Sequence, residues 1–183
     1  MTDDTIRLIE PTETLRDGFL ESIDEFRDAG EMEQPPGSCW KDTDDFATYM
    51  KRVRDYAQGA NLPDGWVPDS AYWLVAGERI LGACDIRHRL TEALLDFGGH
   101  IGYCVRPSER RKGYGTRMLT LALQKVRQLG IDRVRITCDK DNVASARVIR
   151  GNGGVLDSES FSKAAGRVTQ RYWIDLAERG REQ

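Results

Sequence analysis

Residues 108–116 read Ser-Glu-Arg-Arg-Lys-Gly-Tyr-Gly-Thr, and they set Arg110, Arg111 and Lys112 directly against Gly113 and Gly115. An apolar run precedes them and a long amphipathic stretch follows. A glycine loop between a strand and a helix exposes backbone N–H groups, and the helix N-terminus adds positive potential, so the stretch suits an anion. Gly113 and Gly115 let the backbone approach a ligand closely. The three cations can add charge-assisted bonds to phosphate oxygens, and Thr116 can cap the helix or donate to a phosphate. A plain basic turn would have the same composition, so the neighbouring segments must decide. A Walker loop is absent, and the dinucleotide pattern G-x-G-x-x-G fails because Met118 stands at its last position.

Other side chains offer acid–base or thiol chemistry. His88 closes one apolar stretch and His100 opens the next, and imidazole titrates near neutral pH. If these two strands pair antiparallel with His88 opposite His100, Cys84 falls opposite Cys104. His100 is then a candidate base, with structural bonding to a turn carbonyl as its alternative. Asp85 and Asp139 are rival carboxylates, and Glu109 reads as a solvated flank of the loop. Cys138 reads as a small core thiol rather than an acyl carrier, and the spacing of Cys39, Cys84, Cys104 and Cys138 offers no metal site.

The elements that must hold these groups follow from periodicity. Residues 5–10 form a strand ended by Pro11, and Leu15, Phe19, Ile23 and Phe26 mark a helix running to Gly30. Phe46, Tyr49, Met50, Val53 and Tyr56 mark a second helix. Two strands flank a hairpin turn at Gly77-Glu78, and residues 91–99 connect them to a strand at 100–107, apolar at both parities and expected to be buried on both faces. After the loop, Met118, Leu119, Ala122, Leu123, Val126 and Leu129 line a helix that stops at Gly130. A strand at 132–140, a short helix over 143–154 and a final strand at 169–176 complete the chain. The strands at 100–107 and 132–140 sandwich a helix, which predicts parallel neighbours joined right-handedly. The fold class is α/β with a mixed sheet, in a single domain over 1–183.

Composition narrows the function. Apolar residues at 39% and charged residues at 31% describe an ordinary globular chain able to bury roughly 70% of its unfolded surface. A net charge of −3 argues against a general nucleic-acid binder, without excluding a local basic pocket. No apolar run reaches the ~20 residues of a membrane span, and the acidic start does not resemble a secretory signal, so a reduced cytoplasmic compartment is expected.

The combination of strand, R-x-x-G-x-G at 110–115, long helix, strand and Asn142-x-x-Ser145 opening a second helix resembles the GNAT superfamily of acetyl-CoA-dependent N-acetyltransferases. The resemblance covers roughly residues 5–176. It implies a sheet in which the strand HIGYCV splays from VRITCD and leaves a slot for pantetheine. It also implies acetyl-CoA as co-substrate, held by Val105, Arg110, Arg111, Lys112, Gly113, Tyr114, Gly115, Thr116, Asn142 and Ser145, with no metal. A strand N–H near Val105 would polarise the thioester carbonyl. The reaction would be direct attack by a primary amine in a ternary complex.

Many members of that family carry a tyrosine seven residues after the asparagine, and Ile149 stands here instead. The missing phenol keeps open a CoA-binding regulatory module without transfer, and a binder of another nucleotide is a third reading. GWVP, IRHRL and GGHIGYCVRPSERRKGYGT resemble a bacterial subgroup of unassigned substrate. The acceptor would be a small molecule or a peptide amine, met by Glu31, Glu33, Trp40, Asp42, Asp44, Trp66 and Tyr72. A homodimer using the last strand, with Tyr172 and Trp173, is a further expectation.

A bulky residue at Gly113 or Gly115 is expected to abolish CoA binding in a folded protein. Isothermal titration checks this, and retained micromolar affinity in a folded Gly115→Val variant would overturn the assignment of the loop.

Overall fold

A computed structural model describes residues 6–31 and 45–177. The readings at Glu33, Cys39, Trp40, Asp42 and Asp44 lie outside them. In chain order the elements are β1 (Ile6–Ile9), α1 (Arg16–Asp28), α2 (Phe46–Ala57), β2 (Asp69–Ala76), β3 (Arg79–Arg87), α3 (Glu92–Asp96), β4 (Ile101–Val105), α4 (Tyr114–Gln128), β5 (Arg133–Asp139), α5 (Val143–Gly151), β6 (Val155–Ser162) and β7 (Arg167–Asp175).

The strands form two sheets, ordered β1-β2-β3-β4 and β5-β7-β6, with every ladder antiparallel. This corrects the expectation of one mixed sheet with a parallel pair, because β4 and β5 form no ladder with each other. They meet at a short seam before β4 begins. An isolated bridge joins Gly99 to Ile136, the His100 N–H donates to Arg135 O at 2.7 Å, and the Arg135 N–H donates to His100 Nδ1 at 2.9 Å. The Gly98 N–H adds a bond to Thr137 Oγ1 at 2.9 Å. Beyond the seam the two strands part.

Two apolar layers hold this arrangement. Met118, Leu119, Ala122, Leu123 and Val126 of α4 pack with Leu74, Ile86 and Ile101 of the first sheet. The same cluster takes in Val134, Ile136, Tyr172 and Ile174 of the second, so α4 spans both sheets. On the opposite face of the first sheet, α1 and α2 bury Phe19, Ile23, Tyr49 and Val53 against Trp73, Val75 and Ile80. Phe19 stacks on Tyr49 at 4.8 Å and on Trp73 at 4.7 Å. The helices start where their caps dictate: the Thr48 N–H donates to Asp45 Oδ1 at 2.7 Å, and the Ser145 N–H to Asn142 Oδ1 at 2.9 Å.

The register of β3 against β4 differs by one residue from the expected one. Cys84 faces Tyr103 and Ala83 faces Cys104, while the Arg87 N–H bonds His100 O. A one-residue shift moves a side chain to the other face, so Cys84 lies in the α4 cluster and Cys104 does not share it. β3 is buried on both faces, so its pattern carries no information on register. His88 lies past the end of β3, with its Nε2 at 2.8 Å from Ser70 Oγ.

β6 is a strand that periodicity alone does not reveal. Val-Leu-Asp-Ser-Glu-Ser-Phe-Ser is mostly exposed and pairs only with β7, from Val155 opposite Trp173 to Ser162 opposite Arg167. β7 is therefore central in its sheet, with no free edge for exchange with a second copy, and Tyr172 is fully buried.

Gly99 is a point of close approach between the sheets. Its φ is +64°, and a Cβ there would lie 2.5 Å from Arg135 O. Gly99→Ala should therefore destabilise the protein by at least about 2 kcal/mol in urea unfolding. Gly130→Ala, with φ +74° but open space around it, should cost only the backbone strain, about 1 kcal/mol.

Candidate active site

Where β4 and β5 part, a cleft of about 740 Å³ opens. Its walls are Phe26, Gly30 and Glu31 after α1, Tyr103, Cys104 and Val105 of β4, the loop into α4, and Asn142, Ala144, Ser145, Arg147 and Val148 at the start of α5. Antiparallel pairing fixes which backbone groups face it. The Arg87 N–H bonds His100 O and the Arg106 N–H bonds Leu81 O. In such a ladder alternate residues turn toward the partner strand. Residues 102, 104 and 106 and the His100 carbonyl thus bond toward β3, and 101, 103 and 105 turn away from it. The N–H groups of Tyr103 and Val105 therefore look into a gap where no strand receives them.

The loop carries the second set of donors. Arg111 sits at φ +62° and Gly113 at φ +84°, Gly113 being the N-cap of α4. These left-handed turns leave the N–H groups from Arg111 to Thr116 without a hydrogen bond to any described residue. Successive free amides at a helix N-terminus form an anion cradle. Gly115 keeps the cradle close to the strand: its Cβ would lie 3.3 Å from Val148 Cγ2 and 3.6 Å from Val105 Cγ2.

Ion pairs frame the loop from three directions. Arg106 is buried, with Nη2 2.7 Å from Glu25 Oε1, and Glu25 also accepts from the Ser108 N–H. Burial alone would raise the Glu25 carboxyl, but Arg106 and Ser108 outweigh it and bring it to about 2. Arg110 grips Glu31 with both terminal nitrogens and sends its Nε to Val105 O at 3.2 Å. Glu109 receives Arg79 Nε at 2.7 Å and Lys112 Nζ at 2.8 Å. Glu109 is thus a buried anchor and not a solvated flank.

Of the residues expected to hold CoA, Val105, Arg110, Arg111, Gly113, Tyr114, Gly115, Thr116, Asn142 and Ser145 line this one cleft. Lys112 is turned to Glu109 and stands outside the lining. His100, the candidate base, is buried outside it. Its Nδ1 is consumed by the Arg135 N–H, and burial together with the Arg87 charge lowers its pKa to about 4. A group so placed pins the seam and does not reach an incoming amine.

Ile149 is fully buried in the core, so the family position for a phenol is apolar here. A different phenol occupies the cleft: Tyr103 Oη lies 2.8 Å from Ser145 Oγ, and burial, opposed in part by Ser145, raises the tyrosine to about 12. Tyr72 packs toward α4 with Lys125 over its ring, and Trp66 lies tilted against Tyr56, and neither lines the cleft. Arg147 and Tyr103 are among the lining residues that spacing alone does not single out as ligand contacts. Among the described residues no cluster of His, Cys, Asp or Glu could hold a metal ion.

The chain matches the acetyltransferase (GNAT) domain model over residues 6–155, and it belongs to that family. The RimL ribosomal L7/L12 α-N-protein acetyltransferase solved with coenzyme A is similar at 17% identity and a TM-score of 0.69, covering 96% of this chain and 97% of that one. Mycobacterium smegmatis RimJ, solved with a CoA disulfide, gives 17% identity and 0.68 over 96% and 84%. The microcin C7 self-immunity acetyltransferase MccE, solved with acetyl-CoA and AMP, gives 15% and 0.68 over 95% and 94%. No curated protein sequence matches the chain. The family defines an acetyl-CoA-dependent acyltransferase that acetylates an amine, with acetyl-CoA as co-substrate.

The pH dependence of stability separates a seam histidine from a catalytic one. The unfolded chain binds a proton at His100 below its ordinary pKa of 6.5, whereas the folded chain does so only near 4. Stability should be unaffected by this group above pH 7 and fall by roughly 3 kcal/mol between pH 6.5 and 4. His100→Asn should flatten that limb in urea unfolding. Where folded, the variant should keep the wild-type pH profile of acetyl transfer.

Proposed function

We propose that the cleft bounded by β4, the loop into α4 and the start of α5 binds acetyl-CoA with its pyrophosphate on the amides of residues 111–116 and its thioester beside β4. The observation that carries this reading is the run of unpaired N–H groups from Arg111 to Thr116 opening onto the same cleft as the unpaired N–H groups of Tyr103 and Val105. The first set matches two adjacent phosphates. The second matches a carbonyl oxygen that gains negative charge as an amine attacks, where positioned donors act most strongly. Direct attack by the amine nitrogen forms the new C–N bond and breaks the C–S bond. The acetyl group passes to the amine, whose nitrogen gives up one proton to solvent, and the leaving thiolate takes up one proton to become the CoA thiol.

The Tyr103–Ser145 pair stands where that thiolate forms. Asn142 caps α5 through the Ser145 N–H, which fixes the Ser145 side chain against Tyr103 Oη at 2.8 Å. With its pKa raised to about 12, the phenol stays neutral and donates a hydrogen bond at any working pH. The pair replaces the phenol that Ile149 removes. The acceptor enters as a primary amine, from a small molecule or a peptide. Cys84, Cys104 and Cys138 are free thiols, which supports placing the enzyme in a reduced cytoplasm.

Acetyl-CoA titration followed by a thiol-release assay over a panel of amines tests this reading. Tyr103→Phe and Ser145→Ala should each lower kcat roughly 10–100-fold, while acetyl-CoA affinity changes less than about threefold. Unchanged kcat in both variants would remove the pair from the mechanism. Failure of the wild type to bind acetyl-CoA would remove the cleft assignment altogether.

A further inference from the structure

The first residues of β4 past the seam are Ile101 and Gly102. Glycine inside a strand weakens it, and it marks a bulge, a close approach of another backbone, or a place where a ligand comes near. The β3–β4 ladder runs unbroken from Gly82 opposite Val105 to Ile86 opposite Ile101, so Gly102 makes no bulge. Its φ is not positive. The three atoms nearest a Cβ built there all belong to side chains: Asp85 Oδ2 at 3.4 Å, Arg87 Nη2 at 3.8 Å and Arg87 Nη1 at 3.9 Å. At Gly82 and Gly99, by contrast, a Cβ would lie 2.5 Å from a backbone oxygen, so packing demands glycine at both. Neither backbone nor packing demands it at 102. Gly102 is also only partly buried. The absent side chain therefore leaves a notch in β4, floored by backbone and walled by a carboxylate and a guanidinium.

Directly opposed residues of a ladder share a face, and neighbours along a strand alternate. Asp85 lies opposite Gly102, on the same face as the Ala83–Cys104 pair, where Ala83 packs with α1 and α2. Cys84 and Tyr103 lie on the other face, toward α4 and α5. Asp85 and the Tyr103 phenol thus stand on opposite sides of the sheet at adjacent rungs of one ladder. Asp85 is buried, as is Asp69 of β2, whose Oδ2 lies 4.0 Å from Arg87 Nε. Arg87 Nη1 donates to Gly98 O at 3.3 Å and to Gly99 O at 3.1 Å. Arg87 is thereby braced against the sheet by groups other than Asp85, and a buried carboxylate at a notch favours a positive charge beside it.

Resting on the acetyl-transfer reading above, we propose that the Gly102 notch seats the nitrogen of the acceptor amine and that Asp85 is the catalytic base. The amine reaches a thioester held in the gap from the Asp85 side, while Tyr103 and Ser145 lie on the other. As the C–N bond forms, the nitrogen becomes positive, and the carboxylate stabilises that charge and takes one of its protons. The C–S bond then breaks, and the thiolate takes a proton from the Tyr103–Ser145 pair. Solvent restores that proton and receives the one held by Asp85. One proton leaves nitrogen and one joins sulfur.

Thiol release at saturating acetyl-CoA, over primary amines from methylamine to short peptides, tests the proposal on the wild type, Gly102→Ala, Asp85→Asn and Asp85→Ala. Gly102→Ala fills the notch without straining the backbone, so it should unfold at an equal or higher urea concentration. It should lower kcat/KM for the amine at least about tenfold, while acetyl-CoA affinity by isothermal titration stays within about threefold. Asp85→Asn should lower kcat about 100-fold. Formate should restore part of the rate to Asp85→Ala and none to Gly102→Ala, a response that a merely structural carboxylate would not give. Unchanged amine kinetics in Gly102→Ala would overturn the notch, and this variant decides it even where the Asp85 variants do not fold. An Asp85→Asn enzyme within about threefold of the wild type, or a folded Asp85→Ala without formate rescue, would overturn the base. A wild type that binds acetyl-CoA but releases no thiol with any amine of the panel would overturn seat and base together. Failure to bind acetyl-CoA would instead overturn the cleft reading on which this proposal rests.

Discussion

The hydrogen bonds between His100 and Arg135 are the interaction on which the rest of the structure depends. Two antiparallel sheets share one helical layer, and α4 packs across both. Apolar packing alone would be satisfied by β4 and β5 in full contact. The seam instead uses one glycine bridge and one imidazole, then lets the strands part. Free strand edges are costly when buried, because unpaired N–H groups lose their water. Here they line a cleft open to solvent and to a ligand, so β4 is only partly buried from Gly102 to Val105. The open edge is thus the source of the candidate site.

A second constraint keeps the open edge in shape. The loop from Arg106 to Thr116 contains little apolar surface to hold it, and its amides from Arg111 to Thr116 have no hydrogen bond to any described residue. Three acid–base contacts to α1 and β3 supply the missing order: Glu25 on Arg106, Glu31 on Arg110, and Arg79 on Glu109. The exposed pairs among them add little stability individually. The buried Arg106 is different, because removal of Glu25 would strand its charge inside the protein. A loop held in advance loses less entropy when a flexible, highly charged molecule binds.

Much of the loop and of α5 was legible from residue types. Glycines at 113 and 115, a helix-opening Asn142 and the periodicity of α4 each report a local backbone requirement, and local requirements leave local marks. β6 left none, since a polar strand such as Asp157-Ser158-Glu159-Ser160 is specified by its partner β7 rather than by itself. The β3–β4 register was equally silent, because a strand buried on both faces reads the same after a one-residue slip. Tyr103 and Arg147 became site residues only when β4, the loop and α5 were brought around one space.

Taken alone, the sequence determined the class of chemistry: a glycine-rich basic loop entering a long helix, followed by an asparagine-capped helix, suits a phosphate and resembles an acetyl-CoA enzyme. The tertiary structure decided what each polar side chain does. His100 carries the chemistry of a base and has the position of a pin, because its ring nitrogen is already bonded and burial beside the Arg87 charge disfavours its protonated form. Glu109 has the composition of a solvated residue and the burial of an anchor. Residue type fixes what a group can do, whereas its partners and its access to solvent fix which of those things it does. Both are set by segments distant in the chain: Arg135 lies 35 residues from His100, and Arg79 lies 30 from Glu109.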